Sequence, residues 1–168
     1  MQGIPLNERK RLGALLDDRP QTEVMAMIPQ FSQAETDNFV APPAKIPEAL
    51  GVLMFNMERG VNLPEIQEFL RDCPDIQPFD VILANELDDG CARSGNKNTA
   101  RELAQAFGLN YAWGLEFIEL VNDENAKGFH GNAVFSRWPI RRAGVIRLPE
   151  QYNWYFDRQK RIGGRLAV

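Results

Sequence analysis

Two apolar runs of strand length each end in an oxygen-bearing side chain. "LGVLMFN" (50–56) closes on Asn56, and "FDVILANE" (79–86) closes on Glu86. A carboxamide oxygen and a carboxylate are hard donors of the kind Mg2+ takes while keeping several waters. The chain beyond Glu86 stays acidic, with Asp88 and Asp89 ahead of Gly90. A carboxylate beside a core is costly unless something positive holds it. A divalent cation at Glu86 would be that group. Asp88 and Asp89 read as turn residues before a glycine, or one of them as a partner that supports a ligand. The plain alternative for Asn56 and Glu86 is a strand that simply ends on a polar residue.

Four further places bear polar chemistry. In "CARSGNKNTARE", Arg93, Ser94, Gly95, Asn96 and Lys97 form a loop just before a helix start. Backbone N–H groups and the helix dipole there favour an anion, and Arg93 offers a bidentate fork. Arg93 and Asn96 are therefore phosphate candidates. The same loop reads equally well as a solvated turn with an Asn cap. His130, the single histidine, stands at the start of a strand. It is a catalytic candidate, placed either to approach a phosphate or to bond a carboxylate, and its plain alternative is an exposed or capping residue. Arg137, in "FSRWP", is placed to contact a phosphate. The stretch "EQYNWYFDRQKR" (150–161) mixes aromatic and basic residues, which suits base stacking or, preferably, a loop covering a sheet edge.

Positioning Asn56 and Glu86 together requires their strands to be parallel neighbours, since α/β sites form at the C-terminal edge of such strands. "LPEIQEFLRDC" supplies the crossover helix, with Pro64 in its first turn and Ile66, Phe69 and Leu70 as its buried stripe. "GNKNTARELAQAFG" is a second helix, started by Asn96 or Asn98 and stopped by Gly108. "YAWGLEFIEL", "HGNAVFSRWPI", "AGVIRL" and "GGRLAV" read as strands. An αβ-like first part and a β-rich second part predict a layered α/β fold.

Residues 1–47 read differently. "LNERKRLGALLDD" predicts a short helix capped by Asn7, "TEVMAMIPQF" fits helix or strand, and "NFVAPPAKIP" is an extended connector. This region is expected to be a peripheral N-terminal arm and connector, with the domain proper spanning 48–168. The chain stops within the apolar stretch "GGRLAV", which suggests a sequence cut short.

The chain has 168 residues, 44% hydrophobic and 25% charged, with a formal net charge of −4. That fits one globular domain and weakly disfavours a non-specific duplex nuclease, whose binding is mainly electrostatic. No stretch approaches the ~18 apolar residues of a membrane span. The N-terminus lacks the apolar region of a secretion signal. Cys73 and Cys91 show neither CxxC nor Cys/His spacing. They read as reduced thiols in a cytoplasmic setting.

Four of these segments, in this order, resemble the endonuclease/exonuclease/phosphatase superfamily over about residues 50–168. "MFNMERG" resembles its first motif, an apolar strand ending in an Asn that faces the metal. "FDVILANELDDG" resembles the second, whose Glu is the principal metal ligand. Asn85 stands where the usual pattern has Gln. "HGNAVFSRWPI" and "GGRLAV" resemble the third motif and the strand after it, and the resemblance implies that Ser136 and Arg137 tie the strand end to a neighbour. The family's later elements, "T-H-L", "G-D-x-N" and "S-D-H"-like, have no counterpart in this sequence. The resemblance implies a four-layered α/β sandwich, two packed mixed sheets flanked by helices, present here as its first half. It implies Mg2+ or Mn2+ held by Asn56 and Glu86, and phosphoester hydrolysis by in-line attack of water. The substrate would be a nucleic acid, a phosphorylated small molecule or a lipid. The chain alone would be inactive. The alternative is a non-catalytic binding or scaffold module, or an inactive fragment of such an enzyme.

Overall fold

The helices form where the sequence signals are strongest. Helix α3 (Leu63–Asp72) begins with Pro64 in its first turn and buries Leu63 and Leu70. Helix α4 (Thr99–Phe107) is capped by Asn98, whose Oδ1 accepts from the Arg101 N–H at 2.8 Å. It stops at Gly108, which takes φ +58°. Such a left-handed residue ends a helix, and glycine adopts it without a Cβ penalty. Phe69 departs from the expected buried stripe of α3. It is exposed and stacks on Phe55 with ring centroids 5.8 Å apart.

The computed structural model describes residues 1–150 and 152–168. Residue 151, within the aromatic–basic stretch, lies outside the described residues. The strands are β1 (Ala34–Asp37), β2 (Val52–Arg59), β3 (Val81–Asp89), β4 (Asn110–Glu119), β5 (Phe129–Ser136), β6 (Ile146–Arg147), β7 (Arg161–Gly163) and β8 (Leu166–Ala167). The principal sheet is mixed and six-stranded, ordered β1-β4-β5-β3-β2, with β7 also on β4. Among the described residues, only β2 and β3 are parallel, joined by α3 as a crossover. The other pairs are antiparallel. One edge of β4 is shared, since Tyr111–Gly114 pair with β1 and Phe117–Glu119 with β7.

The two faces of this sheet differ. One carries Met57, Ile82, Ala84, Leu87, Leu115, Phe135 and Ile162 into a single core with α3 and α4. The other is partly covered by a two-stranded sheet of β6 and β8. A Cβ on Gly114 would meet Val145, Leu166 and Val168 within 3.3 Å, which locates that small sheet over β4. Farther along the same face, Val52, Met54 and Leu83 remain exposed, Met54 by 72%. The α/β class and the layering of helices on a mixed sheet agree with expectation.

The peripheral arm does not. Helix α1 (Leu6–Ala14) and helix α2 (Gln21–Ala26) are part of the fold, with Ile4, Leu12, Leu16, Val24, Ile28 and Phe31 in the common core. Strand β1 extends the principal sheet. Arg147 on β6 clips this region in place by donating to the carbonyls of Phe31, Leu115 and Gly164. Pro5, not Asn7, occupies the cap position of α1. The physical reason is tertiary: the core has room for these side chains, which weak local periodicity does not reveal. The proline-rich connector does carry no regular element over 41–51.

Candidate functional site

Asn56 and Asn85 are Cα partners across the parallel β2–β3 pair, so Asn56 and Glu86 emerge at the same end of adjacent strands. Both strands leave regular pairing just there. β2 shifts register between Asn56 and Arg59, and β3 shifts against β5 between Ala84 and Leu87. Each has one residue more than its partner over that interval, which makes a β-bulge. Glu86 takes φ +59°, and Glu58 and Arg59 take +46° and +67°. Non-glycine residues rarely adopt this left-handed conformation, and such strain gathers at functional sites. The Glu86 N–H donates to Asn132 Oδ1 at 3.1 Å. Asn56 Oδ1 accepts from the Glu58 N–H at 2.8 Å, which orients its carbonyl and leaves a second lone pair. Among the described residues, no cation lies within ion-pair distance of the Glu86 carboxylate.

The next carboxylates on β3 are treated differently. Asp88 is fully buried. Arg93 grips it with two bonds, Nε to Oδ2 at 2.7 Å and Nη2 to Oδ1 at 2.8 Å. Ser94 Oγ adds a third at 3.3 Å. His130 Nδ1 lies 2.9 Å from Asp88 Oδ1. An ionised carboxylate only accepts, so Nδ1 carries the proton. Burial pushes the Asp88 carboxyl up, but the bonds from Arg93 and His130 outweigh it and hold it below its ordinary value. Asp89 pairs with Lys127 at 2.7 Å. The groups that hold the acids next to the core are therefore the cations Arg93 and Lys127 and the His130 N–H.

The network extends across β4. Glu119 accepts from Arg93 Nη2 at 3.0 Å and faces Arg161 Nε at 3.1 Å. Glu116 pairs with Arg165 at 2.9 Å and lies 3.9 Å from His130 Nε2. Phe117 stacks on His130, and both Arg161 and Arg165 lie over its ring. Beside this cluster, Cys91 is buried and donates to the Phe129 carbonyl at 3.3 Å. Burial pushes its thiol well above the usual range.

These contacts revise the second tier of expected site residues. His130 is 3% exposed and bonds a carboxylate, the second of its two expected roles. Arg93 is turned inward onto Asp88 and Glu119. Asn96 is exposed and stitches its loop to another, donating to the Glu124 carbonyl at 3.1 Å and accepting from the Ala126 N–H at 2.9 Å. The loop expected to cradle phosphate thus has its polar groups used internally, and Asn98, not Asn96, is the helix cap. Arg137 lies 3.6 Å from Asp80, in keeping with a strand tie. Asp88 and Asp89 are not turn residues but the last residues of β3. Asn132 and Arg161 were missed because their partners lie far away in sequence. The one available signal for Asn132 was its place in "HGNA".

As to a cation, no cluster of three or more His, Cys, Asp or Glu is arranged for a metal among the described residues. By donor chemistry, a carboxylate and a carboxamide would suit Mg2+ or Mn2+ completed by water and substrate, and not zinc. Among the described residues, no helix is long and apolar enough to cross a membrane. Comparison of the chain with family models, curated proteins and solved structures finds no match.

Proposed function

We propose that the β2–β3 end carries the metal-holding part of a divalent-cation-dependent phosphoester hydrolase. The observation that carries the reading is the treatment of Glu86. It sits in a strained bulge beside Asn56 at the C-terminal end of two parallel strands. Asp88 and Asp89, close by on the same strand, are paired with cations, whereas Glu86 has none among the described residues. An acid left without a counter-ion in strained backbone is a candidate ligand.

In this reading Glu86 supplies the charge and Asn56 a neutral oxygen. The cation would polarise a phosphoryl oxygen and offset the charge that develops on the leaving oxygen. His130 does not touch the substrate, because it is enclosed between Asp88 and Glu116. Its part is to secure the end of β3. The substrate class is any accessible phosphoester.

The test is Mn2+ titration of the 168-residue chain, followed by electron paramagnetic resonance. Saturable binding is expected at near-millimolar or better affinity. Glu86→Gln should abolish it by removing the charge while keeping the shape, and Asn56→Ala should weaken it less. Equal binding by Glu86→Gln would overturn the assignment. A parallel panel of phosphodiesters and phosphomonoesters with and without EDTA checks the chemistry. Turnover that survives EDTA would sink the metal-dependent reading.

A further inference from the structure

Three consecutive residues of β5, His130, Gly131 and Asn132, lie opposite two of the three acids at the end of β3, Glu86 and Asp88. His130 is the Cα partner of Asp88 and bonds it. Gly131 is the Cα partner of Leu87. A Cβ on Gly131 would stand 2.0 Å from the Gly114 carbonyl oxygen and 2.7 Å from the Trp113 ring, so only glycine lets β5 approach β4 this closely. Asn132 lies between the paired positions Gly131 and Ala133, opposite the bulged residues Asn85 and Glu86. A bulged residue is left without a partner in the ladder. Asn132 Oδ1 provides that partner, at 3.1 Å from the Glu86 nitrogen.

We infer that Asn132 is a positioning residue: its side-chain carbonyl substitutes for the missing ladder bond and holds Glu86 in its left-handed bulge beside Asn56. The inference rests on the proposed metal role of Glu86 for its functional meaning. The backbone part stands on geometry alone. Without the Asn132 acceptor, the part-buried ladder would gain an unsatisfied donor at Glu86, and the residue would relax toward ordinary strand conformation. Register against β5 would then compete between two pairings, and a one-residue slip moves a side chain to the other face.

The experiment uses the full chain with two near-isosteric variants. Asn132→Leu keeps the size and loses the acceptor. Asn132→Asp keeps the acceptor. Amide exchange is followed residue by residue by NMR. Asn132→Leu should speed exchange of the Glu86 N–H by about tenfold, the scale of one lost hydrogen bond. The amides of Ile82 and Ala84 should not follow it. Asn132→Asp should restore slow exchange at Glu86. Mn2+ affinity should fall by about 10- to 100-fold in Asn132→Leu, the usual effect of losing a group that orients a ligand.

Unchanged Glu86 exchange in Asn132→Leu would overturn the inference, as would failure of Asn132→Asp to restore it. If wild type binds no Mn2+, the metal reading of Glu86 falls, while the exchange results still decide the role of Asn132. Should Asn132→Leu prove unfolded, Asn132→Ser, whose shorter oxygen cannot span the gap, takes its place with the same two outcomes.

Discussion

Glu86 and Asp88 stand two residues apart on β3, and the protein handles them in opposite ways. Asp88 is enclosed and satisfied by Arg93, His130 and Ser94. Glu86 is half-buried, with strained backbone and a carboxylate that faces no cation among the described residues. A buried charge left unpaired would cost several kcal/mol, so full pairing at Asp88 is what burial demands. No such demand fixes Glu86. Arginine and histidine near acids are therefore weak evidence of function here, and the strained acid without a counter-ion is the stronger signal.

Removing the buried acid gives the largest effect on this contrast. Asp88→Ala strips a counter-ion from Arg93 and the acceptor from His130 and should destabilise the chain by about 3–5 kcal/mol. Urea unfolding followed by circular dichroism measures it. Glu86→Ala, run in parallel, should lie within about 0.5 kcal/mol of wild type or above it. Equal losses at the two positions would erase the contrast.

Close approach of β5 to β4 comes next. Gly131→Ala forces a methyl into the Gly114 carbonyl and should cost about 3 kcal/mol, at the upper end for overpacking. The same urea measurement applies. A neutral result would mean that the strands separate more easily than their pairing indicates.

The acid limb of the stability curve sharpens the contrast further. The folded-state pKa of Asp88 is held below its unfolded value. Its stabilisation is thus complete above the ordinary carboxylate value of about 3.9 and drains away as pH falls below it. Between about pH 5 and pH 3, wild type should lose more stability than Asp88→Asn. Parallel curves for the two proteins would refute the assignment.

Smaller effects belong to the open end. Glu86→Gly relieves left-handed strain, which costs an ordinary residue about 1 kcal/mol, and offsets part of that gain by freeing the unfolded chain. Stability should hold or rise by up to about 1 kcal/mol while Mn2+ binding disappears. Loss of stability together with binding would make Glu86 structural. Met54→Lys, on the exposed strip of the same sheet, should change stability by no more than about 0.5 kcal/mol.

Local signals located α4 through Asn98 and Gly108 and α3 through Pro64, whereas Asn56 and Glu86 marked the bulges of β2 and β3 and not their ends, since the strands run on to Arg59 and Asp89. These features depend on a few neighbouring residues, so a sequence displays them. The ion pairs of Asp88 do not work that way. His130 lies 42 positions from Asp88. Glu119 and Arg161 meet through the β4–β7 pairing. The integration of residues 4–37 was equally illegible, because Ile4, Val24 and Phe31 become core only when the sheet they pack on exists. Phe69 failed in the other direction: helical spacing placed it on the buried stripe, but its contact is with Phe55 at a surface.

The buried thiol of Cys91 makes the protein its own clock. In the folded chain it is buried, bonded to the Phe129 carbonyl of β5 and held un-ionised, whereas Cys73 is partly accessible. An alkylating reagent should modify Cys73 within minutes and reach Cys91 only during moments when that part of the sheet parts from its neighbours. The second labelling event, read by mass spectrometry, therefore reports how often the region around Asp88 opens under native conditions. The two cysteines, unremarkable as a pair, provide an internal fast reference and a slow hand.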